Sequence, residues 1–143
     1  MKRVVCLTYL AMLVAAMPVR AQDKPFSMVG TWIGKGEAIS VGESLHPEHS
    51  NREVEPKVLP ITLRLEIDKQ TDTTFSGKSI GPSGTSERLV GSITKDRRRG
   101  IAVNPRGGAH QFVVVDVNTV EGCYAIRHDT KFYATTCMTW VRQ

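Results

Sequence analysis

The most informative absences in this sequence are those of chemical motifs. It contains no phosphate-binding loop, no dinucleotide-binding glycine motif and no G-x-S-x-G nucleophile motif. The cysteines have no further ligands at zinc-like spacing, and no nucleophile or orienting carboxylate accompanies a histidine at a recognisable spacing. We therefore expect no catalytic residues, no metal site and no cofactor, which favours a non-enzymatic role.

Long apolar runs are also scarce, since the sequence has only one and it lies at the N-terminus. Lys2 and Arg3 precede apolar residues 4–17, and small residues precede a predicted cleavage site after Ala21. The run is shorter than the roughly 20 residues that span a bilayer. We therefore predict a secretory signal at residues 1–21 and a periplasmic or secreted mature protein without a membrane span.

A concentrated basic surface is missing once the predicted signal is removed. The whole chain has a net charge of +5, and the loss of Lys2, Arg3 and Arg20 lowers it to +2. A dedicated nucleic-acid binder carries a much more concentrated positive charge, so we predict no nucleic-acid partner. The three consecutive arginines at 97–99 are interpreted as a solvated turn.

Helical periodicity is absent after residue 21, and short alternating runs replace it. Residues 60–68 place Ile61, Leu63 and Leu65 on one face, which is typical of a half-buried strand. Similar runs predict strands at 28–41, 60–68, 73–80, 86–94, 100–104, 110–116, 119–126 and 133–141. Short turns rich in Gly, Pro, Asn or Asp join them, and only the connection at 42–59 is long.

Regular strands joined by short turns favour an all-β fold, an eight-stranded antiparallel up-and-down β-barrel, with a β-sandwich as the alternative. We assign residues 22–27 to an N-terminal extension and residues 28–143 to the barrel domain. Successive connections of such a barrel alternate between its two ends. One end then carries 42–59, 81–85, 105–109 and 127–132, and the other carries 68–72, 95–99, 117–118 and both termini.

Two cysteines, Cys123 and Cys137, follow the predicted signal, and an even pair in an exported protein suggests a disulfide. If they face each other in the last hairpin, whose turn centres on Thr130, then Tyr124 faces Thr136. This register turns both cysteines outward. It also places five other side chains inside the barrel: Val120, Tyr124, Ile126, Met138 and Trp140.

Gly30, Thr31 and Trp32 open the first predicted strand, and Arg142 ends the last one. Together with the eight strands, these residues resemble the calycin barrels, which include lipocalins, fatty-acid-binding proteins and avidins. The layout also resembles small uncharacterised exported lipocalin-like proteins of bacteria. The resemblance implies that Trp32 packs across the closed end of the barrel and that Arg142 lies against its ring in a cation–π contact.

The open end of the predicted barrel carries most of the candidate polar residues. They are His46, His49, Arg106, Arg127 and His128, with His110 nearby. The spacing His46-x-x-His49 could supply two of the ligands of a metal site. Because the sequence fixes no third ligand, we interpret this pair as part of a solvated lid loop.

The first functional hypothesis is a barrel that binds a small, largely apolar ligand in its lumen. The candidate ligand-binding residues are Trp32, Gly34, Gly36, Ala38, Ser40, Tyr124, Arg106 and Arg127. Beyond Trp32, the inward positions of the first strand are all small. Their small size either lets the strand bend as the barrel closes or leaves space for a ligand.

Two further hypotheses stay open. A protein-interaction or hydrolase-inhibitor domain would have a filled barrel, and residues 112–117, which are apolar on both faces, would contact a partner or a second copy. A lumen-based cyclase or isomerase would need a titratable side chain at an inward position. The sequence pattern does not determine which side chains of strands 73–80 and 110–116 face the barrel interior. A one-residue shift in register exchanges the inner and outer faces of a strand.

Overall fold

The computed structural model describes residues 25–42, 55–128 and 132–143. Across these ranges the chain forms eight antiparallel strands that close into a barrel in sequence order. They are β1 (Gly30–Gly42), β2 (Lys57–Thr71), β3 (Thr74–Ile80), β4 (Ser86–Ile93), β5 (Arg99–Val103), β6 (Ala109–Asp116), β7 (Thr119–His128) and β8 (Phe132–Arg142). The predicted up-and-down barrel is confirmed, and the β-sandwich alternative is wrong.

Several predictions concern residues outside the described ranges. These are the signal at residues 1–21, the histidine pair His46 and His49, and the turn centre at Thr130. Within the described ranges, no helix has the length and hydropathy needed to cross a membrane.

The barrel closes because β1 pairs with β2 on one side and with β8 on the other. Trp32 lies opposite Leu65 of β2 and Arg142 of β8. In β2, Leu63 and Leu65 are buried while Arg64 is exposed, so the alternation in the sequence corresponds to an inner and an outer face. Strand β2 is longer than predicted at both ends, since it starts at Lys57 and continues to Thr71.

The last hairpin has the predicted register. Cys123 lies opposite Cys137, with their Cα atoms 4.0 Å apart, and the two residues form a disulfide. Tyr124 lies opposite Thr136. Both cysteines face outward and are exposed, while Trp140 is buried in the core. The hairpin therefore places its disulfide on the outer surface and its bulky apolar side chains inside.

The closed end of the barrel is built around Trp32, which is completely buried. The guanidinium carbon of Arg142 lies 4.2 Å from the centre of the Trp32 ring, which is the cation–π contact that the calycin resemblance implies. The same guanidinium donates hydrogen bonds to the carbonyl oxygens of Ser27, Val29 and Val117. One cation thus joins the N-terminal segment, the β6–β7 turn and the last strand.

The segment before β1 is part of this closed end. The Trp32 indole N–H donates to the Met28 carbonyl at 2.7 Å, and the Phe26 ring packs 6.1 Å from the Trp32 ring. Arg97 donates to the Phe26 carbonyl at 2.8 Å and is partly buried. Arg97 therefore lies in the predicted turn but is only partly solvated, whereas Arg98 is exposed as expected.

The glycine at position 34 has a packing role that the sequence pattern does not reveal. A Cβ atom at Gly34 would lie 2.4 Å from the Met138 sulfur and 2.7 Å from the Trp140 ring. Side chains from β8 therefore fill the space beside the first half of β1. Any ligand space must lie farther along β1, toward the open end.

Candidate ligand-binding site

A cavity of about 110 Å³ lies at the open end of the barrel. Its apolar wall comes from inward positions of β1, β2, β7 and β8: Ala38, Leu59, Ile61, Leu63, Ile126, Phe132 and Ala134. Its polar lining includes Ser40, Glu87, Arg106, His110, Tyr124 and Thr136. The cavity is thus mainly apolar, with a small number of polar groups that converge from different strands.

The β5–β6 turn forms part of the cavity mouth and is organised by Asn104. The buried Asn104 side-chain carbonyl accepts hydrogen bonds from the backbone N–H groups of Arg106 at 3.2 Å and Gly108 at 2.8 Å. Its amide donates to the Tyr124 hydroxyl at 3.4 Å. The turn residue Gly107 has a φ of 81°, a conformation that favours glycine. The N-P-R-G-G sequence therefore forms the tight turn predicted for it.

An ion pair connects this turn to β4. The Arg106 Nε atom lies 3.1 Å from a carboxylate oxygen of Glu87, whose side chain is only 15% exposed. Both residues line the cavity, and β4 places Glu87 on the same inward face as Leu89. The two opposite charges sit together at the mouth, so neither presents an isolated charge to the interior.

His110 is the most unusual polar residue of the site, because it is a titratable side chain that is only 5% exposed. Its ring lies 4.4 Å from the Tyr124 ring and 5.8 Å from the Trp140 ring. Burial lowers the pKa of His110 from 6.5 to about 4, so the imidazole is neutral at physiological pH. Burial likewise raises the pKa of Tyr124, which keeps the phenol protonated.

Two buried polar atoms at this cavity have no hydrogen-bond partner among the described residues. They are the Nε2 atom of His110 and the hydroxyl of Ser40, which is 4% exposed. A buried donor or acceptor without a partner costs about 1–3 kcal/mol, and native proteins satisfy nearly all such groups. Both residues line the cavity, so a bound molecule that reaches these atoms would supply the missing hydrogen bonds.

The structure brings together four of the eight residues predicted to contact a ligand. Ala38, Ser40, Arg106 and Tyr124 all line the cavity. The other four are not among its lining residues. Trp32, Gly34 and Gly36 precede this region on β1, toward the closed end, and the Arg127 side chain is exposed. The side chain of His128 is outside the described part of the structure.

Sequence reasoning missed His110 and Glu87 as inward residues. The inward orientation of Glu87 could have been predicted, because Glu87 is two residues before Leu89 in an alternating strand and therefore lies on the same face. His110 precedes a run that is apolar on both faces, so its own strand does not reveal its orientation. Among the described residues, no group of three side chains is arranged to hold a metal ion.

The geometry of the closed end and the strand order are consistent with a calycin-like barrel. Comparisons with protein-family models, with curated proteins and with solved structures found no match to this chain.

Proposed function

We propose that this protein is an exported, lipocalin-like barrel that binds a small, largely apolar ligand in its open-end cavity. The observation that carries the proposal is the cavity itself, which has an apolar wall and a few converging polar groups. Small-molecule sites in proteins commonly have this composition, and barrel mouths are a frequent location for them. The protein would act by carrying or sequestering its ligand.

The size of the cavity limits the ligand. Its volume of about 110 Å³ is somewhat smaller than the ~150 Å³ of an engineered apolar cavity that binds benzene. Many ligand pockets are larger, at roughly 300–1,000 Å³. The cavity therefore suits a single ring or a short branched chain, and a longer molecule would extend out through the mouth.

Export is supported by two independent features. The N-terminal residues have the pattern of a secretory signal. The disulfide between Cys123 and Cys137 lies on the exposed outer face, and such bonds persist mainly in oxidising compartments. Both features fit a periplasmic or secreted protein.

The test uses toluene as the probe and a pair of matched substitutions. Ala134→Leu places three additional carbon atoms into the cavity, whereas Ala125→Leu adds the same atoms to the exposed outer face of β7. We expect the wild type and Ala125→Leu to bind toluene in an NMR titration and Ala134→Leu to lose at least tenfold in affinity. Equal affinity in all three proteins would contradict binding in the cavity.

A second candidate function is association with a second copy of this chain through the outer face of β4–β6. Five exposed apolar residues share this face: Val90, Ile101, Val103, Val113 and Val115. Val90 and Val103 lie directly opposite each other on neighbouring strands. By contrast, the outer face of β2 and β3 carries Glu66 in ion pairs with two basic residues. Exposed apolar patches of this kind commonly mark interaction surfaces.

Measurement of molar mass by light scattering over a range of concentrations tests this second candidate. We expect a dimer that Val103→Lys disrupts and that Val58→Lys leaves intact, since Val58 is an exposed valine on β2. A monomer at every concentration would contradict it.

Lumen-based isomerisation is a third candidate, because His110 supplies the inward titratable group that it requires. A neutral imidazole can accept a proton, and Tyr124 can donate one. The test is exchange of the α-hydrogens of cyclohexanone with deuterated water. Exchange that is faster with the wild type than with His110→Phe would support catalysis, and equal rates would exclude this role for His110.

A further inference from the structure

The interior of the cavity differs from its mouth in charge. At the mouth, Glu87 and Arg106 form an ion pair, so the two formal charges neutralise each other locally. Ser40 of β1 and His110 of β6 are more completely buried, at 4% and 5% exposed, and both are uncharged. Burying an unpaired charge costs far more than burying an uncharged polar group, so an ionised ligand group would be poorly matched to this interior.

Ser40 and His110 are also the buried side chains that each have a polar atom without a partner within the described residues, namely Ser40 Oγ and His110 Nε2. Thr136 lines the same cavity, but its hydroxyl already donates to the Glu37 carbonyl at 2.7 Å. A serine hydroxyl donates and accepts, and a neutral imidazole has one donor and one acceptor nitrogen. A hydroxyl both donates and accepts, so it can pair with either residue in either sense.

We propose that the ligand is an uncharged molecule that carries a hydroxyl group, such as a phenol or a short alcohol, with Ser40 and His110 as its hydrogen-bonding partners. This inference rests on the proposed function, because it assumes that the cavity binds a small ligand. It adds the chemical class of that ligand, which the apolar wall alone does not specify. A site built to hydrogen-bond a hydroxyl discriminates strongly against an analogue without one, since its polar atoms are then left unpaired.

The test compares phenol, toluene and benzoate as probes at pH 7. Phenol and toluene differ by a hydroxyl in place of a methyl group, and benzoate carries a negative charge. We expect phenol to bind at least tenfold more tightly than toluene and benzoate to bind more weakly than phenol. In Ser40→Ala and His110→Phe, the ratio of phenol to toluene affinity should fall toward one.

Thr136→Val is the matched control, because it removes a cavity hydroxyl that already has a partner. We expect this variant to keep the wild-type preference for phenol. Ser40→Ala provides the decisive measurement if His110→Phe fails to fold. Equal binding of phenol and toluene by the wild type, or an unchanged preference in Ser40→Ala, overturns the inference and leaves the proposed function standing. Tightest binding of benzoate also overturns it. If none of the three probes binds, the proposed function itself fails.

Discussion

The neutral, buried His110 should make the stability of this protein depend on pH in a defined window. Burial lowers its pKa from 6.5 to about 4 in the folded state. Between these values the unfolded chain binds a proton that the folded chain does not, so the free energy of unfolding falls as the pH falls. Each pH unit removes about 1.4 kcal/mol, which gives a total loss of about 3 kcal/mol from pH 6.5 to pH 4.

Urea unfolding at pH 7, 6, 5 and 4, followed by tryptophan fluorescence, measures this dependence. His110→Phe is the comparison, because phenylalanine fills similar space and does not titrate. We expect the wild type to lose about 3 kcal/mol more than the variant between pH 7 and pH 4. Acidic groups common to both proteins cancel in the difference. Parallel pH profiles would refute the burial of a neutral His110.

Three further predictions concern the scaffold, and each is measured as a change in the free energy of unfolding in urea. Gly34→Ala should lose about 1–3 kcal/mol, because its Cβ would overlap the Met138 sulfur. Arg142→Met should lose about 2–4 kcal/mol, since it removes charge-assisted hydrogen bonds and the cation–π contact at the closed end. Reduction of the disulfide between Cys123 and Cys137, which are 14 residues apart, should lose about 3 kcal/mol.

Each of these predictions has a control. Gly36→Ala should cost less than Gly34→Ala, because the nearest atom to its Cβ would be 3.2 Å away instead of 2.4 Å. An equal cost would argue against close packing at Gly34. Arg142→Lys should recover part of the stability that Arg142→Met loses, and no recovery would argue against the cation–π contact. The double substitution of Cys123 and Cys137 by serine should reproduce the effect of reduction, and full stability would contradict the third prediction.

The barrel and much of its register could be predicted because the sequences of several strands indicate which of their side chains face inward. In β2 the apolar and polar residues alternate, so the inner face of the strand follows directly from the sequence. In β7 and β8 the requirement that Cys123 face Cys137 fixes which residues lie opposite each other. In β1 the resemblance of Trp32 to the calycin tryptophan indicates that Trp32 and every second residue from it face the barrel interior.

The candidate site was harder to predict, because its polar members lie where those signals are weak. Strand β6 is apolar on both faces, so its pattern does not show that His110 points inward with Phe112. The mouth residue Arg106 was predicted as a ligand contact, but its ion pair with Glu87 depends on a turn that brings β5–β6 beside β4. The role of Gly34 depends on the β8 side chains packed against it, which no local pattern reveals.

The most direct test of the proposed function is to locate a bound probe by NMR. Intermolecular nuclear Overhauser effects are recorded between phenol or toluene and the methyl groups of the protein. Binding in the cavity predicts contacts to Ile61, Ile126 and Ala134, which line its wall. Contacts only to the exposed Val113 and Val115 on the outer face, or no contacts at all, would contradict ligand binding in the barrel.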